Sequence, residues 1–98
     1  MLRLQFQTSV IEWRGPAPFF FAPVPSDHVA AIDHAARLVS YGWGMIPVEV
    51  TIGGVAFTTS LFPKNGSYLL PLKDAVRRKT SITVGDIVEV DMTLQARR

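Results

Sequence analysis

The sequence predicts a mainly β domain with minor α content. The architecture it predicts is a small closed or split antiparallel barrel, with one amphipathic helix over about residues 27–40 and a short basic helix over about 72–80. Three observations carry this. Apolar and polar residues alternate in several short runs, the period of a half-buried strand. Two junctions between such runs, Gly53-Gly54 and Asn65-Gly66, are two-residue turn signals, because Gly and Asn tolerate the positive φ of a tight hairpin. Only two stretches follow the helical period instead.

The elements follow in chain order. Leu2, Leu4, Phe6, Thr8 and Val10 face one way, with Arg3, Gln5, Gln7 and Ser9 facing the other. The parity slips at Val10-Ile11, which predicts a β-bulge that bends a long strand, as a small barrel requires. After the Gly15-Pro16-Ala17-Pro18 turn, Phe19 to Ala22 reads as a short strand buried on both faces. Three adjacent aromatics are also what a partner surface would show. Ser26 is a good N-cap with Asp27 in the first turn. In the helix that follows, Val29, Ile32, Ala35, Ala36 and Val39 share a face, and Asp33 and Arg37 pair on the opposite one. Tyr41-Gly42-Trp43-Gly44 ends it in a tight loop, where Trp43 either plugs one end of the barrel or forms a stacking wall for a ligand.

Ile46 to Ile52 and Val55 to Leu61 alternate on either side of Gly53-Gly54, and Ser67 to Leu70 returns after Asn65-Gly66. Pro71 cannot donate to a ladder, so it is expected to end that strand and open the basic helix, with Leu72, Ala75 and Val76 on its apolar side. Asp74 and Arg78 are expected to pair at i,i+4. Gly85-Asp86 turns the chain into a last strand, with Val88, Val90, Met92 and Leu94 on its apolar face. The predicted order is six strands with two helices. Phe6, Ile32, Val50, Phe57, Leu69, Val76 and Val90 are the expected members of one contiguous core.

Ninety-eight residues at 48% hydrophobic content predict a single domain, residues 1–98, able to bury a real core. There is no cysteine, so disulfides and thiolate metal sites are excluded. His28 and His34 lack the spacing that puts two ligands on one metal, and read as ordinary edge or surface histidines. No metal and no cofactor is expected. The N-terminus alternates and lacks the apolar run of a signal peptide, and no run is long enough for a membrane span. The expectation is a cytoplasmic protein that is a monomer or weak dimer and has no membrane partner.

Net charge is +2, unevenly spread. Residues 1–49 carry three bases and four acids, net −1; residues 50–98 carry seven bases and four acids, net +3. Five of those seven bases lie between Lys64 and Lys79. Lys73 and Arg77 are like charges four apart with no local acid assigned to them, so they form a small cationic face.

Taken together, IPVEVTIGG, TSLFP, YLLPLKDAVRRK and ITVGDIVEVDMTL, with the FFFAPVP segment before them, resemble the bacterial family known as domain of unknown function nineteen-oh-five. The similarity covers nearly the whole chain. It implies a double-split β-barrel and brings no established activity and no catalytic residues. Members are often the first half of longer chains; this chain ends at Arg98 and is expected to stand alone. Separately, Gly66 to Val90 is similar to the core of swapped-hairpin DNA-binding proteins such as antitoxins and transition-state regulators. Here extra strands precede that motif, so the barrel can close within one chain.

Three functions compete. The first is a non-catalytic binding module for a small anionic ligand or acidic partner. Lys73 and Arg77 would contact it at the barrel rim, with Thr59, Ser60 and Tyr68 as hydrogen-bonding neighbours and Trp43 as the stacking wall. The second is a nucleic-acid (DNA) binding regulator that uses the Lys64–Lys79 cluster. The third, ranked last, is an enzyme. No acid–base pair and no nucleophile–base pair appears at a diagnostic spacing, so no catalytic residue is assigned.

Overall fold

Every alternating run becomes a strand. In the computed structural model the backbone is described for residues 2–13, 19–39 and 45–94, and the side chains for the same residues except 36–39. These hold β1 (Leu2–Ser9), β2 (Ile11–Trp13), β3 (Phe19–Pro23), α1 (Val29–Val39), β4 (Ile46–Ile52), β5 (Val55–Lys64), β6 (Ser67–Leu72), α2 (Asp74–Thr80) and β7 (Ile87–Leu94). All pairings are antiparallel, in the order β1-β7-β4-β5-β6-β3-β2. The two strands at the ends of that order are neighbours in the chain, so the sheet curls into a half-barrel.

The slip at Val10 is a change of partner. β1 pairs with β7 from Leu2↔Leu94 to Ser9↔Ile87, whereas β2 pairs with β3. Val10 between them is buried; its N–H donates to the Asp86 carbonyl, and its own carbonyl accepts from the Gly85 N–H, both at 2.8 Å. The expected single bent strand is therefore two strands, seven in all among the described residues. The turn that holds Val10 needs Gly85, whose φ is +88°. The Asp86 carboxylate accepts the Thr83 N–H at 2.9 Å and completes it. β5 divides in the same manner: Val55 to Leu61 pair with β4, and Phe62 to Lys64 with β6. Two long stretches each serving both halves are what the double-split description means physically.

The core lies inside this curl. Ile46, Val48, Val50 and Ile52 of β4 face Val88 to Leu94 of β7, and Leu61, Leu70, Leu72 and Ala22 close the other half. Ile32 of α1 is fully buried against them, with Val29 and Ala35 half-buried beside it. Each such aliphatic side chain stabilises the fold by about 1.5–3 kcal/mol. Thr8 Oγ1 donates to the Pro23 carbonyl at 2.7 Å and ties the two halves.

Several expectations change. Phe57 packs half-buried against the core rather than within it. Leu69 faces outward, because β6 turns Tyr68, Leu70 and Leu72 inward. Val76 is buried but lies outside the main cluster, and Ala75 is exposed. Phe19, expected in a strand buried on both faces, is exposed, although Phe21 and Ala22 are buried. Pro71 does not end its strand: β6 continues to Leu72, with Pro71 opposite Phe21. A proline is tolerated in a ladder where its missing N–H is not needed. The basic helix consequently starts later, with Lys73 at its N-cap in an extended conformation (φ −71°, ψ 152°). Ser26 opens a 3-10 turn ahead of α1 and makes no side-chain cap; the cap residue is Pro25. The expected Asp33–Arg37 pair and the Tyr41–Gly44 loop fall outside the described residues. Both hairpin signals hold: Gly53, Gly54, Asn65 and Gly66 have φ of +56°, +79°, +52° and +76°.

The solvent face of β1 and β7 is a polar ladder. Arg3 grips Asp91 with two bonds, at 3.0 and 2.6 Å, and Gln5 joins at 3.3 Å. The guanidinium holds the Asp91 carboxyl below its ordinary range. Gln7 donates to Glu89 at 3.0 Å. Among the described residues no helix is long and apolar enough to cross a membrane.

Candidate ligand-binding cleft

A cleft of about 1120 Å³ opens where β5 changes partner. Strand pairing dictates its floor. Pro47 and Glu49 of β4 lie opposite Ser60 and Thr58 of β5, so these four side chains share the face turned away from the Val48 and Val50 core side. Phe19, Phe20 and Phe21 of β3, with Phe62 and Pro71, supply an apolar wall. Lys73 and Asp74 close one end. The cleft is thus aromatic on one side, bears hydroxyls and the Glu49 carboxylate on the floor, and has Lys73 and Asp74 at one end.

The charged end is built by the delayed start of α2. Lys73 leaves β6 as the helix cap, and its Nζ donates to the Thr58 carbonyl at 3.0 Å. An ammonium has three donors, so this bond anchors the cation without exhausting it. One turn on, the Arg77 guanidinium lies over the Phe20 ring, 3.3 Å from its centroid. Arg77 Nη1 reaches Asp74 Oδ1 at 3.5 Å. The acid expected to serve Arg78 therefore serves Arg77, because Asp74 at the first helical position lies one turn before it. Arg77 Nε is buried and has no hydrogen-bond partner among the described residues. A buried donor left unpaired costs about 1–3 kcal/mol.

A family model described as Domain of unknown function (DUF1905) matches residues 6–92. The chain belongs to this family. No curated protein matches it.

Within this DUF1905 domain the cleft brings together three of the residues singled out from the sequence: Thr59, Ser60 and Lys73 line it. Arg77 stands beside it on Phe20. Tyr68 does not join them. Its side chain points into the core and its hydroxyl donates to Asp33 of α1. Burial first, and the Asp33 carboxylate second, push the Tyr68 hydroxyl up to about 12. Trp43 lies outside the described residues. Among the described residues no group of three or more His, Asp or Glu could hold a metal ion.

Sequence reasoning held the aromatic wall only as a second reading. Phe19 to Phe21 read as core because three adjacent aromatics suit a doubly buried strand. Phe62 lies one position beyond the Val55 to Leu61 run and was not singled out. One signal was available: Phe62 has the outward parity of β5, and a large apolar residue at an outward position marks a covered or ligand-facing surface.

Proposed function

We propose that this domain is a binding module for a small ligand with a planar apolar body and one anionic group, held in the cleft between β3 and the β4–β5 floor. The observation that carries this reading is the pairing of an aromatic wall with Lys73 at one end and Arg77 beside it on Phe20. The Arg77 Nε–H is buried and has no partner among the described residues. A flat ring would lie against the Phe19–Phe62 side. A carboxylate or phosphate would take the free donors of Lys73 and compete with Asp74 for Arg77. Asp74 is mostly exposed, and an ion pair of that kind is worth little to stability, so the exchange costs little.

The basic residues divide between aromatic sites. Arg77 lies on Phe20, and Lys64 lies over the Trp13 ring at 3.2 Å. This favours the ligand over a broad cationic surface made for a duplex.

The test is a titration of inorganic phosphate, small dicarboxylates, an aromatic monophosphate and a short duplex, followed by amide shifts. The aromatic monophosphate should perturb residues 58–60 and 71–77 more than phosphate alone. Lys73→Ala and Arg77→Ala should each weaken it by roughly 10- to 150-fold, the worth of one hydrogen bond to a charged group. If no anion moves those amides in the parent, the cleft is not an anion site. If only the duplex does, and every base from Lys64 to Lys79 contributes alike, the DNA reading replaces this one.

A further inference from the structure

The cleft continues into a second aromatic groove on the same side of the sheet. Phe19, Phe21 and Phe62 line both. The second, of about 540 Å³, adds Trp13, Lys64 and Leu69. Its rings form a connected series: Trp13 to Phe21 is 6.2 Å between centroids, and Phe21 to Phe62 is 6.1 Å. Phe21 is buried beneath, while Phe19, Trp13 and Phe62 remain 58%, 49% and 41% exposed. Ile11 next to them is 40% exposed. Large apolar side chains left this open side by side mark an interaction surface.

Strand phase puts them there. β2 and β3 pair Trp13 with Phe19 and Ile11 with Phe21, and β5 and β6 pair Phe62 with Leu69. All of these point away from the core that Ala22, Leu70 and Leu72 fill.

Two lysines stand at the ends of the strip. Lys64 is held at the Trp13 end by the ring itself, and Lys73 at the cleft end by the Thr58 carbonyl. Alternating ring faces and fixed cations suit a ligand that alternates planar rings with negative charges. We propose that the strip running from Lys73 to Lys64 binds single-stranded nucleic acid. Bases would stack on Phe19 and Phe62 and, once Lys64 leaves its ring for a phosphate, on Trp13; the second phosphate would lie at Lys73. This rests on the ligand-binding reading for its Lys73 end and names the ligand class, a run of nucleotides rather than one small molecule.

A second copy of the chain fits less well. The four exposed side chains present on the order of 400 Å². Two copies would bury about 800 Å², below the roughly 1,200 Å² of a stable interface.

The test uses the full chain with three probes: thymidine monophosphate, a twelve-nucleotide oligothymidylate and a duplex of the same length. The oligonucleotide should bind more tightly than the mononucleotide, and its affinity should fall with salt with a log–log slope of about −1.4, as two neutralised phosphates give. Trp13→Ala should weaken the oligonucleotide between about five- and 150-fold, the range for one lost stack, and leave the mononucleotide unchanged. Lys64→Gln, at the half-buried end of β5, should flatten the salt slope and guards against a fold defect in the first variant. Lys73→Ala should weaken both probes. If the mononucleotide binds and the oligonucleotide binds no better, the strip is refuted and the cleft reading stands. If oligonucleotide binding depends on Trp13 and Lys64 but not on Lys73, no phosphate lies at the Lys73 end, and both the strip as proposed and the cleft reading fall. A preference for the duplex, or self-association abolished by Trp13→Ala without oligonucleotide binding, overturns the proposal.

Discussion

Replacing Tyr68 by Phe tests a bond that joins the helix to the inside of the barrel. Tyr68 is buried in the main cluster, and its hydroxyl donates to the Asp33 carboxylate on α1. The phenol is pushed up to about 12 from an ordinary 10.0. The sign follows from proton counting. Between pH 10 and 12 the folded protein keeps the proton and the unfolded chain has lost it, so stability falls as pH rises through that window and is fully present below it. Because the hydroxyl end of the ring and the Asp33 carboxylate reach solvent, screening limits how much stability this shift carries. At pH 7, Tyr68→Phe loses one hydrogen bond to a charged group, about 1.5–3 kcal/mol, with the abandoned carboxylate free to hydrate on the exposed side of α1. Urea unfolding from pH 7 to 12, of parent and variant, measures both. The variant should be less stable at pH 7, and the gap should close as the parent titrates. Equal stability at pH 7, or curves that fall in parallel above pH 10, would refute the account. The loss would then belong to other alkaline groups and the bond would contribute nothing.

Two further outcomes follow from strand phase and turn geometry. Leu61→Ala should cost about 2–5 kcal/mol, as for a fully buried leucine, whereas Phe62→Ala next to it should cost clearly less because its ring is partly solvated; denaturant midpoints compare the two. Gly66→Val should destabilise more than Lys64→Val, since Gly66 sits at φ +76° and a β-branched residue is strained there even with open space around it; equal melting temperatures would argue against a turn-limited hairpin.

Local signals determined much of this protein by themselves. Alternation over Ile46 to Ile52 and over Val88 to Leu94 dictated both strands and their inward faces. Gly53-Gly54 and Asn65-Gly66 dictated both hairpins, because a two-residue reversal demands positive φ that few residues supply. The parity slip at Val10 marked where the chain changes partner, though as a break between two strands and not as the expected bulge within one. Thr59, Ser60 and Lys73 were legible as neighbours for the same reason: one hairpin and its exit carry all three.

Only the tertiary structure decided what depends on non-local pairing. Pro71 looks like a strand end in isolation, yet β3 supplies a partner that does not need its N–H, and that delays α2 and puts Lys73 over the Thr58 carbonyl. Tyr68 and Leu69 are consecutive, and nothing near them says which faces inward. The register with β3 and β5 turns Tyr68 toward Asp33 on α1, 35 residues away in sequence, and turns Leu69 out beside Trp13. The aromatic wall has the same origin. Phe19 to Phe21 and Phe62 are 41 or more positions apart in the chain, and they meet because β6 pairs with β3 on one side and with the end of β5 on the other. A period of two divides a strand into faces, but the partner strands determine which face is covered.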